Sequence, residues 1–374
     1  MKIGIDVRLW SQSGVGRYIR NLVKNLELID KENRYVLFTL SINNKEIRKT
    51  IKNRKWKLVN ADIRWHTLEE QTKLPKILDK EKLDIVHFPY FSVPVFYKRP
   101  YVLTIHDLII DHFPTGKAST LNPFLYKAKL IGYKYIITKA VTNARKIITV
   151  SKATKKEIID HLKISPKKIA VTYEAVDDKI ASQNLKGRKK KYFLYVGNAY
   201  PHKNLDRLLE AFLLFNKNNK SDTSLIFVGK EDYFYKRLKE KVKDMEIKDK
   251  IFFYENVSDL ELAKLYKNAI ALVLPSLMEG FGLPILEAMA NKCLILASNI
   301  PAFKELCLGN AIFFDPENID SISQKLKYAF VNRSSSKIKK IIDTAKKHVE
   351  NFSWQKTAEE TLEIYESSAG LRQS

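Results

Sequence analysis

Short apolar runs alternate with longer amphipathic stretches along almost the whole chain. The short runs are rich in β-branched and aromatic residues and are bounded by polar residues, which predicts strands. They are nearly continuous in hydrophobicity, as expected for strands covered on both faces. The longer stretches are helical candidates, and their alternation with strands predicts parallel sheets with crossover helices. In the first half, the predicted strands are 2–7, 35–40, 85–88, 101–105 and 146–150, and the predicted helices are 16–29, 68–79, 122–143 and 152–162.

A polar and basic segment, residues 182–191, interrupts this pattern and reads as a linker. Beyond it the alternation restarts, so we predict an α/β protein of two Rossmann-like, doubly wound domains facing a cleft, residues 1–181 and 192–351. Apolar residues then recur with helical spacing, which predicts a closing helix within 352–374, and we expect it to pack on the first domain. In the second half, the predicted strands are 192–196, 224–228, 251–254, 269–274 and 294–297, and the predicted helices are 204–215, 259–267 and 284–290.

The charge is strongly positive and unevenly distributed. The 374 residues carry 66 Lys and Arg against 42 Asp and Glu, a formal net charge of +24. Residues 1–180 hold 35 basic and 18 acidic residues, so +17 of this excess lies in the first half. An anionic membrane leaflet would attract such a surface, and nucleic acid would attract it too. The alternative is equally compatible with the sequence: the chain is generally enriched in Lys, Ile and Asn. The positive charge is then solvated surface without a specific partner.

No pattern in the sequence predicts export or insertion into a membrane. The first residues have the pattern of a buried strand, so we expect no signal peptide. No run of 18 apolar residues occurs, so we expect no membrane-spanning helix. Two cysteines, Cys293 and Cys307, are too few for a disulfide framework or a metal cage. The expected location is the cytoplasm, with peripheral attachment to the inner face of the membrane if the basic surface binds lipid.

The strongest candidate site follows a predicted strand of the second domain. Residues 276–288 read Ser-Leu-Met-Glu-Gly-Phe-Gly-Leu-Pro-Ile-Leu-Glu-Ala. Gly280 and Gly282 let a ligand approach the backbone, and the helix that follows presents unpaired N–H groups to an anion. Glu279 and Glu287 are suited to accept hydrogen bonds from sugar and ribose hydroxyls. The pattern therefore favours a nucleotide sugar, and an ordinary strand–loop–helix turn is the alternative.

A second candidate is a lysine at the start of a predicted helix. The strand 192–196 is followed by Gly197, and Lys203 comes six residues later. A cation at this place neutralises negative charge that develops on a departing diphosphate. An incidental surface lysine is the less favoured alternative, because a cation at a helix N-terminus opposes the helix dipole.

Two further candidates follow strands of the first domain. His106 and Asp107 come directly after a strand, at the carboxyl edge where ligands bind in such folds. A purely structural histidine is the alternative. Gly14 and Gly16 precede Arg17 at the first helix, but this turn lacks the third glycine and the acidic residue of a dinucleotide site.

These motifs resemble the retaining GT-B glycosyltransferases of the family 4 type, the glycosyl transferases group 1. Glu279 and Glu287, separated by seven residues, look like the E-x7-E element of that family, and the resemblance runs over nearly the whole chain. It implies that Glu279 contacts the donor sugar and that Glu287 holds the ribose. It also implies that the loop meets the donor diphosphate through Gly280, Phe281, Gly282 and Leu283.

The same resemblance implies roles for the other candidates. Lys203 would stabilise the leaving diphosphate. Asn198 is expected among the residues that bind the sugar donor, and it stands where the family often has an assisting arginine. His202 and Arg207 are the candidates for a second hydrogen-bond donor to the diphosphate. His106 would lie beside the donor sugar. The segment 173–177 looks like the family's motif before the linker, and we expect it to affect domain geometry rather than chemistry. The remaining implied contacts are Gly14, Gly16 and Arg17 on the donor side and Asp107 and Tyr18 on the acceptor side.

The sequence lacks an Asp-x-Asp pair after a strand, a Cys/His cluster and a Walker-type lysine loop. We therefore expect a metal-independent enzyme without a cofactor, in which Lys203, the loop amides and the helix dipole stabilise the leaving group. The resemblance implies retention of configuration. No nucleophile is evident, which favours a front-face, substrate-assisted path. The E-x7-E loop argues against the nucleotide-sugar 2-epimerases, which share the architecture.

Two motifs, at 197–204 and 105–108, resemble those of mannosyltransferases of surface polysaccharide assembly. The expected donor is GDP-mannose and the expected acceptor is a glycan or a lipid-linked glycan. A transferase using a UDP- or dTDP-sugar with a soluble acceptor is one alternative, and an inactive nucleotide-sugar-binding paralogue is another. Residues 123–145 interleave aromatic and aliphatic residues with lysines, which fits a helix on an anionic leaflet or a core helix with a basic outer face. We expect no nucleic-acid partner, because the sequence contains no recognisable nucleic-acid-binding motif.

Overall fold

A computed structural model describes residues 1–113, 123–181, 191–219 and 222–370. The chain divides into two compact units. The first comprises residues 1–108, 121–174 and 353–374, and the second comprises residues 109–120 and 175–352. The predicted linker 182–191 lies outside the described residues except for its last residue.

Each unit has one parallel sheet, and together the described residues form thirteen strands. The first sheet has the order β3-β2-β1-β4-β5-β6-β7 and the second has the order β10-β9-β8-β11-β12-β13. The strands are β1 (Lys2–Asp6), β2 (Arg34–Thr39), β3 (Lys57–Asn60), β4 (Ile85–Phe88), β5 (Tyr101–Ile105), β6 (Lys146–Thr149), β7 (Ile169–Val171), β8 (Tyr192–Val196), β9 (Ser224–Val228), β10 (Ile251–Tyr254), β11 (Ala271–Leu274), β12 (Leu294–Ser298) and β13 (Ile312–Phe314).

Helices cover both sheets and connect most successive strands. The described helices are α1 (Gly14–Ile29), α2 (Asn44–Thr50), α3 (Leu68–Lys80), α4 (Ile109–His112), α5 (Pro123–Asn143), α6 (Lys152–Leu162), α7 (Asp178–Ala181), α8 (Leu205–Asn219), α9 (Tyr233–Lys243), α10 (Asp259–Asn268), α11 (Leu283–Ala290), α12 (Pro301–Cys307), α13 (Ile319–Asn332), α14 (Ser336–His348) and α15 (Trp354–Ala369). None of them is both long enough and apolar enough to cross a bilayer.

In the first unit, α1 and α15 pack against each other, and α15 also contacts β4, β5 and β6. The buried residues Ile19, Leu22, Val23 and Leu26 recur on one face of α1, which is the spacing that drives a helix onto a core. The start of α6 is fixed by Ser151, whose side chain accepts a hydrogen bond from the amide of Thr154. The last helix of the chain is therefore part of the core of the first unit.

In the second unit, α7 packs against α10 and α11. For this reason the change of unit falls between Glu174 and Ala175, ahead of the predicted boundary at residue 181. A capping box of Ser258 and Glu261 fixes the start of α10. The two edge strands of the second sheet are β10 and β13.

The prediction of two doubly wound α/β domains with parallel sheets is confirmed. Three strands that the sequence pattern did not predict complete the sheets: β3, β7 and β13, of three or four residues each. All three lie at sheet edges. Such short runs carry too little hydrophobic periodicity to be recognised alone.

Candidate active site

The strand order of the second sheet reverses between β8 and β11, which pair directly through residues such as Ala271 and Phe193. In open α/β sheets, ligands bind beyond the carboxyl ends of the strands at this switch point. The two loops that follow these strands, residues 197–204 and 275–282, are the loops that carry the predicted donor site.

An ion pair joins the two loops. The ammonium of Lys203 lies 2.6 Å from Oε1 of Glu279, and the side chains are only 16% and 13% exposed. The hydroxyl of Ser276 donates to the same oxygen at 2.7 Å. Burial raises the pKa of Glu279, but the charge of Lys203 and the hydrogen bonds from Lys203 and Ser276 outweigh it and lower the pKa overall. The site therefore holds a carboxylate and an ammonium side by side.

Asn204 anchors the loop that carries Lys203. Its backbone has a φ of 60°, a left-handed conformation that asparagine tolerates better than most residues. Its buried side-chain amide donates to the carbonyl oxygens of Pro275 at 3.0 Å and Pro316 at 2.7 Å. Arg207 donates to the amide oxygen at 2.9 Å. One side chain thus ties together the loops after β8, β11 and β13.

His202 adds a further link without adding a charge. Its carbonyl oxygen accepts a hydrogen bond from the amide of Leu277 at 2.8 Å. Burial, with the neighbouring charge of Lys203, lowers the pKa of His202 to about 4, against an opposing effect of Glu279. The ring of Tyr200 lies nearly parallel to it, at an angle of 13° and a centroid distance of 6.1 Å. His202 is therefore neutral at physiological pH and does not supply a second positive charge beside Lys203.

Asn198 itself is exposed, on a loop that two tyrosines hold from the interior. The hydroxyl of Tyr195 donates to the carbonyl of Asn198 at 2.5 Å, and that of Tyr235 donates to the carbonyl of Gly197 at 2.8 Å. Gly229 is needed nearby, because a β-carbon there would lie 2.3 Å from the Gly197 oxygen. The backbone of this loop is fixed, and the Asn198 side chain faces solvent.

The predicted glycine loop leads into α11. Gly282 precedes the helix with a φ of 124°, a conformation that requires glycine. A β-carbon there would also lie tightly against Phe303, at 3.0 Å. The side chain of Phe281 is buried and contacts Phe352 at a centroid distance of 6.4 Å. Leu283 is the first residue of the helix. The backbone of residues 280–283, rather than these apolar side chains, is the part suited to an anion.

Glu287 lies in the middle of α11 and is only 2% exposed. Its Oε2 accepts a hydrogen bond from the hydroxyl of Tyr266 on α10 at 2.7 Å. The ribose contact that the resemblance implies for Glu287 is a prediction for the donor-bound protein.

In the first unit, His106 follows β5 and is held on three sides. Nε2 lies 3.0 Å from the carbonyl oxygen of Pro89, and Nδ1 lies 3.3 Å from Oε1 of Glu174. The hydroxyl of Thr154 donates to the His106 carbonyl at 3.2 Å. Burial lowers the pKa of His106, but the hydrogen bond and the charge of Glu174 outweigh it and raise the pKa overall.

Tyr18 packs edge-to-face on His106, with centroids 4.9 Å apart. It is fully buried, and its hydroxyl lies 3.3 Å from that of Thr104. Burial raises the pKa of Tyr18, so the phenol stays protonated. In this structure Tyr18 therefore supports His106 and does not reach solvent, in contrast to the acceptor-side role implied for it.

The other candidates of the first unit lie at the start of α1 and beside His106. A β-carbon at Gly16 would lie 2.6 Å from the carbonyl oxygen of Trp10, whereas at Gly14 it would meet no atom within 4 Å. Position 16 thus requires glycine, because a side chain there would collide with the backbone of Trp10. Position 14 has room for a side chain. Arg17 and Asp107 are half-buried.

The chain is similar to known proteins over most of its length. The family model described as Glycosyl transferases group 1 matches residues 176–348, and the model Glycosyltransferase Family 4 matches residues 12–179. The O-antigen chain mannosyltransferase RfbU of Salmonella typhimurium is 31% identical over 265 residues, which are 70% of this chain and 69% of RfbU. The chain belongs to the group 1 glycosyltransferases.

A second relative of this glycosyltransferase is the O-antigen chain mannosyltransferase B of Escherichia coli, 26% identical over 295 residues, which are 75% of this chain and 74% of the relative. The crystal structure of a glycosyltransferase from Rickettsia africae matches with a TM-score of 0.74 and 22% identity, over 99% of each chain. The fold is accordingly that of the GT-B glycosyltransferases, as the sequence predicted.

Three residues, Ser276 and Asn204 in the second unit and Glu174 in the first, contact the predicted site residues of their own unit but were not predicted as site residues from the sequence. Ser276 and Asn204 act through hydrogen bonds to other loops, and Glu174 was expected to serve domain geometry alone. Only their positions in loops that follow strands, where ligands bind, could have indicated them. Among the described residues, no three His, Cys, Asp or Glu side chains are grouped to hold a metal ion, and metal independence stays a prediction.

Proposed function

We propose that this glycosyltransferase moves a mannosyl unit from GDP-mannose to a glycan or lipid-linked glycan, with retention and without a metal ion, in the assembly of a surface polysaccharide. The observation that carries the proposal is the ion pair of Lys203 and Glu279 at the switch point of the second sheet. It puts a cation for a diphosphate next to a carboxylate for sugar hydroxyls.

The chemistry follows from the charges in these loops. A diphosphate is attracted to the ammonium of Lys203 and to the amino end of α11, where the helix dipole is positive. Both are fixed before the reaction, so they stabilise the charge on the leaving diphosphate without reorganisation. Glu279 faces the same space as an acceptor for a sugar hydroxyl, and Glu287 is the proposed ribose ligand.

The choice of mannose rests on the relatives. RfbU and the Escherichia coli relative are both named mannosyltransferases of an O-antigen chain. The similarity to RfbU extends over 70% of this chain and 69% of RfbU. A mannosyl donor is therefore the first to test, with UDP- and dTDP-sugars as the alternatives.

The test is donor binding and hydrolysis across GDP-, UDP- and dTDP-sugars in the presence of EDTA. We expect GDP-mannose to bind and turn over, and Glu287→Ala to abolish turnover. The matched control is Glu246→Ala, which removes an exposed carboxylate of the same unit, paired with Lys217; it should act like wild type. Turnover of a different donor would overturn the mannose assignment, and binding without any turnover would favour an inactive paralogue.

We further propose that the acceptor is reached at an anionic membrane surface through α5. Its inner face is buried through Ile137, Ala140 and Val141. On its outer face, Ile131 and Tyr135 are 62% and 56% exposed, and the ammonium of Lys139 lies 5.8 Å from the centre of the Tyr135 ring. A pair of exposed apolar side chains among cations matches the chemistry of an anionic leaflet. The exposed lysines are Lys127, Lys129, Lys134 and Lys139.

Vesicle sedimentation tests this attachment. The protein should bind vesicles containing phosphatidylglycerol and not vesicles of phosphatidylcholine alone, and added salt should weaken the binding. The double variant Ile131→Ser, Tyr135→Ser should lose it. The control, Phe252→Ser, Tyr254→Ser, removes two residues that are each 42% exposed on β10 and should keep it. Equal binding of both double variants would overturn the proposal.

A further inference from the structure

Both ring nitrogens of His106 face hydrogen-bond acceptors. Nε2 lies 3.0 Å from the carbonyl oxygen of Pro89, and a carbonyl oxygen has no proton to give, so Nε2 carries a hydrogen. Nδ1 lies 3.3 Å from a carboxylate oxygen of Glu174. A neutral ring protonated at Nε2 would turn the lone pair of Nδ1 toward that carboxylate. A second proton must therefore sit between Nδ1 and Glu174.

The ring is the better place for this proton, because an imidazole ordinarily holds one about two pKa units more tightly than a carboxyl group does. The groups around His106 act in the same direction. Glu174 and Asp107 both raise the pKa of His106, against the effect of burial. Among the described residues, the titratable neighbours Tyr18 and His87 are neutral, because burial raises the pKa of the phenol and lowers the pKa of the imidazole. The contact of His106 and Glu174, whose side chains are 13% and 6% exposed, thus has the geometry of an imidazolium–carboxylate pair.

His87, in the same core, shows what happens when the partners are hydroxyls. Its Nδ1 lies 2.6 Å from the Tyr365 hydroxyl and its Nε2 lies 2.7 Å from the Thr104 hydroxyl. A hydroxyl can donate or accept, so one proton on the ring is enough. Burial lowers the pKa of His87 to about 3. The carboxylate of Glu174, and not burial in this core, is what distinguishes His106.

We propose that Glu174 is a positioning residue that keeps His106 as a doubly protonated imidazolium in the working enzyme. Both N–H groups are then occupied by protein, so His106 presents a fixed, oriented ring and takes no proton from donor or acceptor. The consequence for catalysis rests on the proposed transferase function, whereas the protonation state does not. When His106 loses its proton at high pH, the Glu174 carboxylate faces a lone pair, and the ring is no longer held.

NMR titration of the histidines tests the protonation state without any substrate. In the full-length protein, the His106 resonance, assigned by its loss in His106→Asn, should titrate above the ordinary value of about 6.5. Glu174→Gln keeps the shape but removes the charge, and it should lower this midpoint by about one to two pH units. Glu174→Asp should restore part of the shift. The control Glu81→Gln, whose carboxylate binds Lys2 and Lys57 at the amino ends of the strands, should leave it unchanged.

The pH profile of donor turnover tests the consequence. A raised pKa means that the pair is intact at low pH and is lost as pH rises through the folded pKa, so wild-type turnover should fall on the alkaline side. In Glu174→Gln this fall should move to lower pH by the same one to two units, with activity recovering toward wild type near pH 5 to 6. An equal loss at every pH, or a neutral His106 in the wild type at pH 7, would overturn the proposal. Absence of turnover with every donor would instead refute the proposed function and leave the titration as the test.

Discussion

At the scale of single residues, the pair of Lys203 and Glu279 places an ammonium and a carboxylate side by side in the second unit. The cation is held by protein before any ligand binds, so a diphosphate meets a site that is already in place. Replacing Lys203 by Met keeps the apolar stem and removes the charge. We expect kcat to fall about 10²- to 10³-fold, the range for losing one electrostatic contact to a transition state.

Steady-state kinetics with the donor that turns over measures this loss. Lys217→Met is the matched control, because Lys217 lies on α8 with its side chain 54% exposed and paired to Glu246. It should keep wild-type kcat. A Lys203→Met enzyme with unchanged kcat and a raised KM would show that Lys203 binds the donor equally well in ground and transition states, contrary to the role proposed for it.

The same pair predicts a dependence of stability on pH. Glu279 has a lowered pKa when folded, so its contribution is present above its unfolded pKa, about 4.3, and is lost as pH falls through the folded value. Glu279→Gln should therefore lower the melting temperature of the protein at pH 7 and have a much smaller effect near pH 3. Thermal unfolding followed by circular dichroism at both pH values measures the difference. A deficit that is the same at pH 3 would mean that the charge of Glu279 is not the cause.

At the scale of elements, the loops after β8, β11 and β13 are joined through Asn204. Asn204→Ala removes two hydrogen bonds to buried carbonyls and keeps a β-carbon at a φ of 60°. Asn204→Gly removes the same hydrogen bonds, but glycine adopts this positive φ without steric strain. We expect both to destabilise the protein by about 1–3 kcal/mol for each carbonyl left unsatisfied, and the alanine variant by about 1 kcal/mol more.

Chemical denaturation of the two variants separates the hydrogen bonds from the backbone. Both should also lose turnover, because the loop that carries Lys203 is no longer tied to the loop that carries Glu279. If Asn204→Gly were as stable as wild type, the αL backbone and not the amide would be the important feature of this position.

The elements also show what the sequence could and could not predict. The buried central strands were recognisable because continuous apolar runs between turn residues are typical of strands covered on both faces. The short edge strand β3, with its half-buried pattern, was missed because pairing with β2 and not periodicity makes it a strand. In the site, Glu279 and Lys203 stood out through their spacing to glycines and helix starts. Glu174 did not, because its role depends on the Nδ1 of a histidine 68 positions earlier in the chain.

At the scale of the whole molecule, the first unit needs the end of the chain. The hydroxyl of Thr357 donates to the carbonyl of Tyr173 at 2.6 Å, and Tyr365 reaches the buried His87. Trp354 and Ala358 are buried in the same region. The core of the first unit is therefore completed only by residues that follow the whole second unit in sequence. Contacts of such long sequence separation cost loop-closure entropy before they form, which slows folding.

Truncation after residue 352 tests this dependence. Removing α15 uncovers the apolar face of α1 and leaves His87 without its Tyr365 partner, so we expect the first unit to lose cooperative unfolding and the protein to become prone to aggregation. The second unit has its own core (residues 175–352) and should keep a separate unfolding transition. Calorimetry and hydrogen exchange of the truncated chain measure both effects, and Tyr365→Phe, which removes one hydroxyl, should cost only about 1 kcal/mol. A truncated chain in which β4 and β5 stayed as protected from exchange as in the full-length protein would show that α15 is an accessory to the first unit and not a part of its core.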